Sequence, residues 1–126
     1  MIKTKKAKRK KNIVIIDDDK SIRTILEFIL NQNHFNTLCL NDNIIDEILT
    51  EKNIDLILLD NHIEKTTTEK LFKLISKYHP KTPIISMVGK KINKAYLSNS
   101  MHNIISYIYK PLDTEEVIKK LQYILK

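Results

Sequence analysis

Three aspartates in a row, Asp17, Asp18 and Asp19, follow the short apolar run Ile13 to Ile16, and a fourth, Asp60, closes the run Leu56 to Leu59. Carboxylates brought together repel, and each raises the other's pKa unless a positive charge stands among them. A hard divalent cation answers that need, and Mg²⁺ in particular takes one or two carboxylates and completes its shell with water and phosphate oxygens. Lys110, between the apolar run Ile104 to Tyr109 and Pro111, can bring an ammonium to the same rim and pair there with an anion. A carboxylate, a metal and a lysine around an open position describe a phosphoryl-transfer site. Each residue has a plainer use as well: Asp19 suits the N-cap of the helix that follows, and Lys110 suits a surface turn. The specificity lies in the four together, and it requires a fold that makes them converge.

The hydrophobic pattern supplies one. Ile13 to Ile16, Phe35 to Leu40, Leu56 to Leu59, Ile84 to Val88 and Ile104 to Tyr109 are short and nearly continuous, as in parallel strands covered on both faces. Between them lie segments with helical spacing. Ile22, Ile25, Leu26, Ile29 and Leu30 mark the first helix, Ile44, Ile45, Ile48 and Leu49 the second, and Leu71, Leu74, Ile75 and Tyr78 the third. Asp113 and Glu116 are spaced like a capping box before a last helix carrying Val117, Ile118, Leu121, Ile124 and Leu125. Lys91 to Met101, where a fourth helix is expected, is the least periodic stretch. Alternating strands and helices predict an α/β fold: a doubly wound five-stranded parallel sheet, order 2-1-3-4-5, in a flavodoxin-like three-layer sandwich. Its binding crevice lies outside the carboxyl ends of strands 1 and 3, where the aspartates fall.

Composition narrows the function classes. The single glycine, Gly89, removes both the Gly-rich dinucleotide fingerprint and the phosphate-cradling P-loop. The single cysteine, Cys39, removes a disulfide framework and a Cys-rich zinc site, and fits a reducing, cytoplasmic setting. No apolar run approaches the ~18 residues of a membrane span, and neither a signal peptide nor an anchor helix is readable. The formal net charge is +7. All of it sits in residues 1 to 11, which hold Lys3, Lys5, Lys6, Lys8, Arg9, Lys10 and Lys11 and no acid. Residues 1–11 therefore read as a basic disordered tail and 12–126 as the folded domain. The tail suits weak binding to nucleic acid or an anionic surface, whereas the domain has no basic excess.

With these residues in place, the chain resembles a receiver domain of two-component response regulators. The resemblance runs from residue 12 to 125 and rests on Ile16-Asp17-Asp18-Asp19, Asp55-Leu56-Ile57-Leu58-Leu59-Asp60, Thr82-Pro83-Ile84-Ile85 and Tyr107-Ile108-Tyr109-Lys110-Pro111-Leu112. It implies that Asp60 accepts a phosphoryl group from a histidine kinase or phosphotransfer protein. It further implies Mg²⁺ held by Asp17, Asp18 and Asp60 with the backbone carbonyl of His62, and Lys110 against the phosphoryl oxygens. Tyr107 matches the aromatic whose rotamer reports activation. Such a protein is not an enzyme in the usual sense, since it carries the phosphoryl group while assisting its own phosphorylation and dephosphorylation.

The departures are as informative. Val88 stands where the family has Thr or Ser, and valine has no hydroxyl to draw the loop onto a phosphoryl group. Ser86, two residues earlier, could replace it only from a displaced strand. The loop Asn61-His62-Ile63-Glu64-Lys65-Thr66 lacks the usual Pro and Gly, His62 reads either as a solvent-facing loop residue or as a contact for an attacking water, and Lys90 and Lys91 stand near the crevice. Asn103 replaces a glycine before the last strand. Two expectations follow: a single-domain response regulator that signals by docking to partners, or a phosphorylation-independent pseudo-receiver that serves as a protein-interaction module.

Overall fold

A computed structural model of the chain describes residues 9–40, 50, 53–60, 65–89 and 103–126, with 65–69 described by backbone alone. Five strands are present: β1 (Asn12–Ile16), β2 (Asn36–Leu40), β3 (Leu56–Asp60), β4 (Ile84–Val88) and β5 (Ile104–Tyr109). Three helices are described: α1 (Lys20–Gln32), α2 (Lys65–Tyr78) and α3 (Thr114–Ile124). All strands pair in parallel, in the order β2-β1-β3-β4-β5, as the alternating pattern predicts. The helices expected at 44–49 and 91–101 lie outside the described residues.

Successive side chains of a strand point to opposite faces, and the two cores follow that alternation. Val14, Ile16, Ile57, Leu59 and Ile84 pack on one face with Leu71 and Ile75 of α2. Ile13, Ile15, Leu56, Leu58, Ile85, Met87 and Ile108 pack on the other with Leu26 and Leu30 of α1 and Val117 and Leu121 of α3. Because β1, β3 and β4 are covered on both sides, their patterns are unbroken apolar runs and not alternations. Each fully buried side chain of this kind contributes about 1.5–3 kcal/mol. Cys39 packs half-buried against the second core, as a small apolar residue would. Burial, with Glu27 beside it, pushes its thiol up to about 12 and leaves it unreactive at neutral pH.

The helix ends are set locally. Asp19 caps α1, accepting from the amides of Ser21 at 2.8 Å and Ile22 at 3.4 Å. Asp113 caps α3, accepting from Glu115 and Glu116 at 3.0 and 3.3 Å, while the Glu116 carboxylate lies 3.5 Å from Lys120. Of the α1 stripe read from the sequence, Leu26 and Leu30 are buried and Ile25 is 46% exposed, so the helix buries a narrower face than the spacing predicts. α1 closes in a Schellman motif: the Phe35 amide donates to the Leu30 carbonyl at 3.0 Å and the His34 amide to that of Asn31 at 3.4 Å. His34 holds φ of 67°, a left-handed conformation that costs a residue with a Cβ about 1–2 kcal/mol. Replacing it by glycine, which pays about 0.5–1 kcal/mol in entropy, is expected to raise stability by about 0.5–1 kcal/mol. An urea midpoint that falls in the variant would show that the His34 side chain contributes more than its backbone strain removes.

Candidate functional site

Strand alternation decides which end-of-strand residues meet. Asp17 lies two residues beyond Ile15, Asp60 two beyond Leu58 and Lys110 two beyond Ile108, and all three predecessors belong to the core on the α1 and α3 face. The three therefore emerge on that face, at the carboxyl ends of β1, β3 and β5, where a doubly wound sheet opens its crevice. Lys110 Nζ donates to Asp17 Oδ2 at 3.0 Å and to Asp60 Oδ1 at 3.1 Å. Asp17 and Asp60 are 2% and 5% exposed, so this is a buried, shared ion pair and not a surface contact. The Lys110–Pro111 peptide bond is cis.

Neighbouring backbone holds the acidic loop in shape. Asp17 Oδ1 accepts from the Asp19 amide at 2.8 Å, and the Arg23 guanidinium, one turn into α1, donates to the Asp17 carbonyl at 2.7 Å. Arg23 is not among the candidates from sequence, although an arginine in the first turn of the helix behind three acids is the available signal. Asp18 extends from the same loop with its side chain exposed. Among the described residues Asp17 and Asp60 are the acids brought together, and no group of three His, Cys, Asp or Glu converges. His62, Lys90 and Lys91 lie outside the described residues.

Among the described residues, the two carboxylates of Asp17 and Asp60 share the ammonium of Lys110, an excess of one negative charge. Burial pushes the Asp17 carboxyl up from its ordinary 3.8, and the charge of Asp60 adds to this against the hydrogen bonds from Asp19 and Lys110. Burial alone would lower Lys110, but its hydrogen bonds and the charges of Asp17 and Asp60 prevail and raise it above 10.5. The cluster thus retains protons, the behaviour expected of a site short of positive charge. Its donors are oxygens, the acids are buried at a crevice, and the excess charge is negative; this fits a hard divalent cation such as Mg²⁺.

The raised pKa of Asp17 fixes the sign of one pH dependence. The folded state holds this proton more tightly than the unfolded chain, so its contribution is complete below 3.8 and is lost as pH rises through the raised value. Asp55 runs the other way. Burial raises it, but hydrogen bonds from Arg9 and the Asn12 amide and the charges of Arg9 and Lys11 outweigh burial and leave it below 3.8. Its contribution is present above 3.8 and is lost as pH falls through the lowered value. In chelator, thermal midpoints are expected to rise as pH is lowered from neutrality toward about 4 and to fall below that. A midpoint that drops steadily from neutrality would refute the assignment of Asp17.

Val88 ends β4, 1% exposed, one residue beyond Met87, the register partner of Asp60. Its carbonyl accepts from the Lys110 amide at 2.8 Å, so β4 and the lysine move together. Ser86 is buried two residues deeper, opposite Leu59 and Tyr107. Tyr107 is half-buried on the edge strand β5, and its carbonyl accepts from Lys120. Asn103 has a side-chain role that its reading as a glycine substitute did not include. It is buried, and its amide donates to the Thr82 carbonyl at 2.8 Å and the His79 carbonyl at 3.4 Å, tying the turn before β4 to the start of β5.

Comparison with known proteins places this geometry. The family model for the response regulator receiver domain matches residues 13–122, and the chain belongs to that family. It is 28% identical over 127 aligned positions to the CAI-1 autoinducer sensor kinase/phosphatase CqsS of Vibrio cholerae, covering 96% of this chain and 18% of that protein. It is 31% identical to the DNA-binding transcriptional regulator NtrC of Klebsiella pneumoniae, over 82% of this chain and 22% of that protein. The chain thus spans a fifth or so of these relatives. Among solved structures, a two-component response regulator from Clostridium difficile superposes with a TM-score of 0.77 at 25% identity, covering 92% of this chain and 96% of that one. The receiver domain of a Pseudomonas aeruginosa sensor histidine kinase, described with a magnesium ion in its active-site cleft, gives 0.75 at 19% identity, covering 94% and 100%. Among the described residues no helix is long and apolar enough to cross a membrane.

Proposed function

We propose that Asp60 is a phosphoryl acceptor in two-component signalling, taking the group from a phosphohistidine of a histidine kinase or phosphotransfer protein. The observation that carries this is the Lys110 ammonium held between Asp60 and Asp17 at the carboxyl ends of three strands. Asp60 Oδ attacks phosphorus as the phosphorus–nitrogen bond of the donor breaks, and the product is an aspartyl phosphate. Lys110 has three N–H donors, two of them engaged with Asp17 and Asp60, and so meets the transferring oxygens with a donor already in place. Asp17, kept in position by Asp19 and Arg23, holds that lysine over the acceptor. Mg²⁺, bound by Asp17, Asp18, Asp60 and the His62 carbonyl, would neutralise charge on the phosphoryl oxygens. The magnesium of the Pseudomonas relative supports this ligand class.

In this reading residues 12–126 are the receiver domain and residues 1–11 its basic tail, in the cytoplasm, where the phosphohistidine donors act. The protein is the substrate that assists its own phosphorylation and dephosphorylation, and it signals by docking to another protein. A second reading, a protein-interaction module that works without phosphorylation, is favoured by one observation: the buried Val88 at the switch position.

Intact-protein mass spectrometry after incubation with acetyl phosphate, with and without Mg²⁺, separates the two. A single Mg²⁺-dependent phosphoryl adduct, absent in Asp60→Asn, is the expected result. No adduct from acetyl phosphate or from a phosphorylated histidine donor would leave the interaction module.

A further inference from the structure

The end of the sheet remote from Asp60 carries the opposite charge. Arg9, Lys10 and Lys11 precede β1, His34 forms the corner before β2, and Leu125 and Lys126 follow α3; these six line a cleft of about 490 Å³. Four of the six are cations and none is an acid. The cleft has a fixed wall. The Lys11 carbonyl accepts from the Asn36 amide at 2.9 Å, the Asn12 amide is held by Asp55 at 2.7 Å, and Arg9 is paired with Asp55 at 2.9 Å. Outside these six, but next to Lys126, the Tyr123 ring is 73% exposed, with Lys126 Nζ 4.8 Å from its centroid. Lys3, Lys5, Lys6 and Lys8 continue the positive run in sequence.

We propose that this cleft binds single-stranded nucleic acid, with backbone phosphates against Lys10, Lys11 and Lys126 and a base stacked on Tyr123. Cations that converge on a concavity attract an anion, and a phosphodiester chain offers one charge per nucleotide. The exposed aromatic beside a phosphate-binding lysine is the arrangement that stacks an unpaired base. A duplex presents a broad cylinder that cannot enter a cleft of this volume. A membrane presents a surface that does not enter a concavity, and Leu125, the apolar residue of the cleft, is packed against the core and offers it no insertion point. None of these residues belongs to the crevice, so the proposal stands apart from the phosphoryl acceptor reading.

Fluorescence anisotropy of the full chain with a labelled oligothymidylate of about 12 nucleotides tests it. Binding should weaken with salt at a slope of about −0.7 per phosphate contact. Lys126→Ala is expected to weaken binding severalfold and reduce that slope by about 0.7. Tyr123→Ala should weaken it about tenfold and Tyr123→Phe should retain it, since stacking needs the ring and not the hydroxyl. Asp60→Asn should bind as the parent does. The same-length duplex and phosphatidylserine–phosphatidylcholine vesicles form the other arms. Tighter binding to either, or no binding to the oligonucleotide at low salt, overturns the proposal. So does a loss on deleting residues 1–8 with Lys126→Ala and Tyr123→Ala unchanged, which would assign the affinity to the tail alone.

Discussion

Replacing Lys110 by alanine is expected to separate two properties that the parent protein combines: Mg²⁺ should bind more tightly while phosphorylation of Asp60 falls by about two to three orders of magnitude. The lysine lies between two carboxylates whose side chains are 0% and 4% exposed, so it supplies the one described counter-charge they share. Its removal leaves Asp17 and Asp60 buried against each other, which for a broken buried pair costs about 3–5 kcal/mol. That cost is partly recovered when the Asp17 carboxyl, already raised by burial, takes up a proton, so the destabilisation should be greatest near neutrality and shrink in mild acid. A divalent cation recovers it too, because it takes the place of the Lys110 ammonium between the two carboxylates. Removing one preorganised donor from a developing anion typically costs 10²–10³ in rate. Calorimetric Mg²⁺ titration and the rate of adduct formation from acetyl phosphate read the two effects separately. A variant that binds Mg²⁺ less tightly would show that Lys110 holds the acids in place for the metal, and one phosphorylated at the parental rate would remove it from the chemistry.

The three residues of that ion pair were legible because their positions depend on little beyond the period of a strand. Each follows an apolar run by one residue, and alternation then selects the face from which it emerges. Asp19 was legible as a cap for the same local reason. Arg23 and Asn103 were not, since their roles lie in bonds to backbone carbonyls of other segments, at Asp17 and at Thr82 and His79, which no spacing rule reports. The exposure of Ile25 marks the limit from the other side: helical periodicity identifies a stripe, but the width that is buried is set by what packs against it. The basic residues at the chain start read from sequence as a disordered tail suited to weak binding of nucleic acid or an anionic surface. The structure draws Arg9 into a pair with Asp55, a residue 46 positions away, and so turns the end of that tail into one wall of a cleft.

Val88→Thr is expected to restore a coupling that the native side chain lacks. Valine and threonine have nearly the same shape, so the exchange adds a hydroxyl at a 1% exposed position at the end of β4, one residue past the partner of Asp60. Before phosphorylation that hydroxyl is buried and costs about 1–3 kcal/mol. Once Asp60 carries a phosphoryl group it can donate to a charged oxygen, a bond worth about 1.5–3 kcal/mol. The variant should therefore be the less stable form when unmodified and should gain more than the parent on phosphorylation. Because the Val88 carbonyl is bonded to the Lys110 amide, the movement should pass into β5, toward Tyr107. Thermal midpoints and amide exchange along β4 and β5, measured with and without acetyl phosphate and Mg²⁺, should show a phosphorylation-dependent shift in the variant that is small or absent in the parent. If the parent already shows the full shift, Val88 is not what limits the switch, and the conformational response is carried by the charge of the phosphoryl group on Lys110 alone.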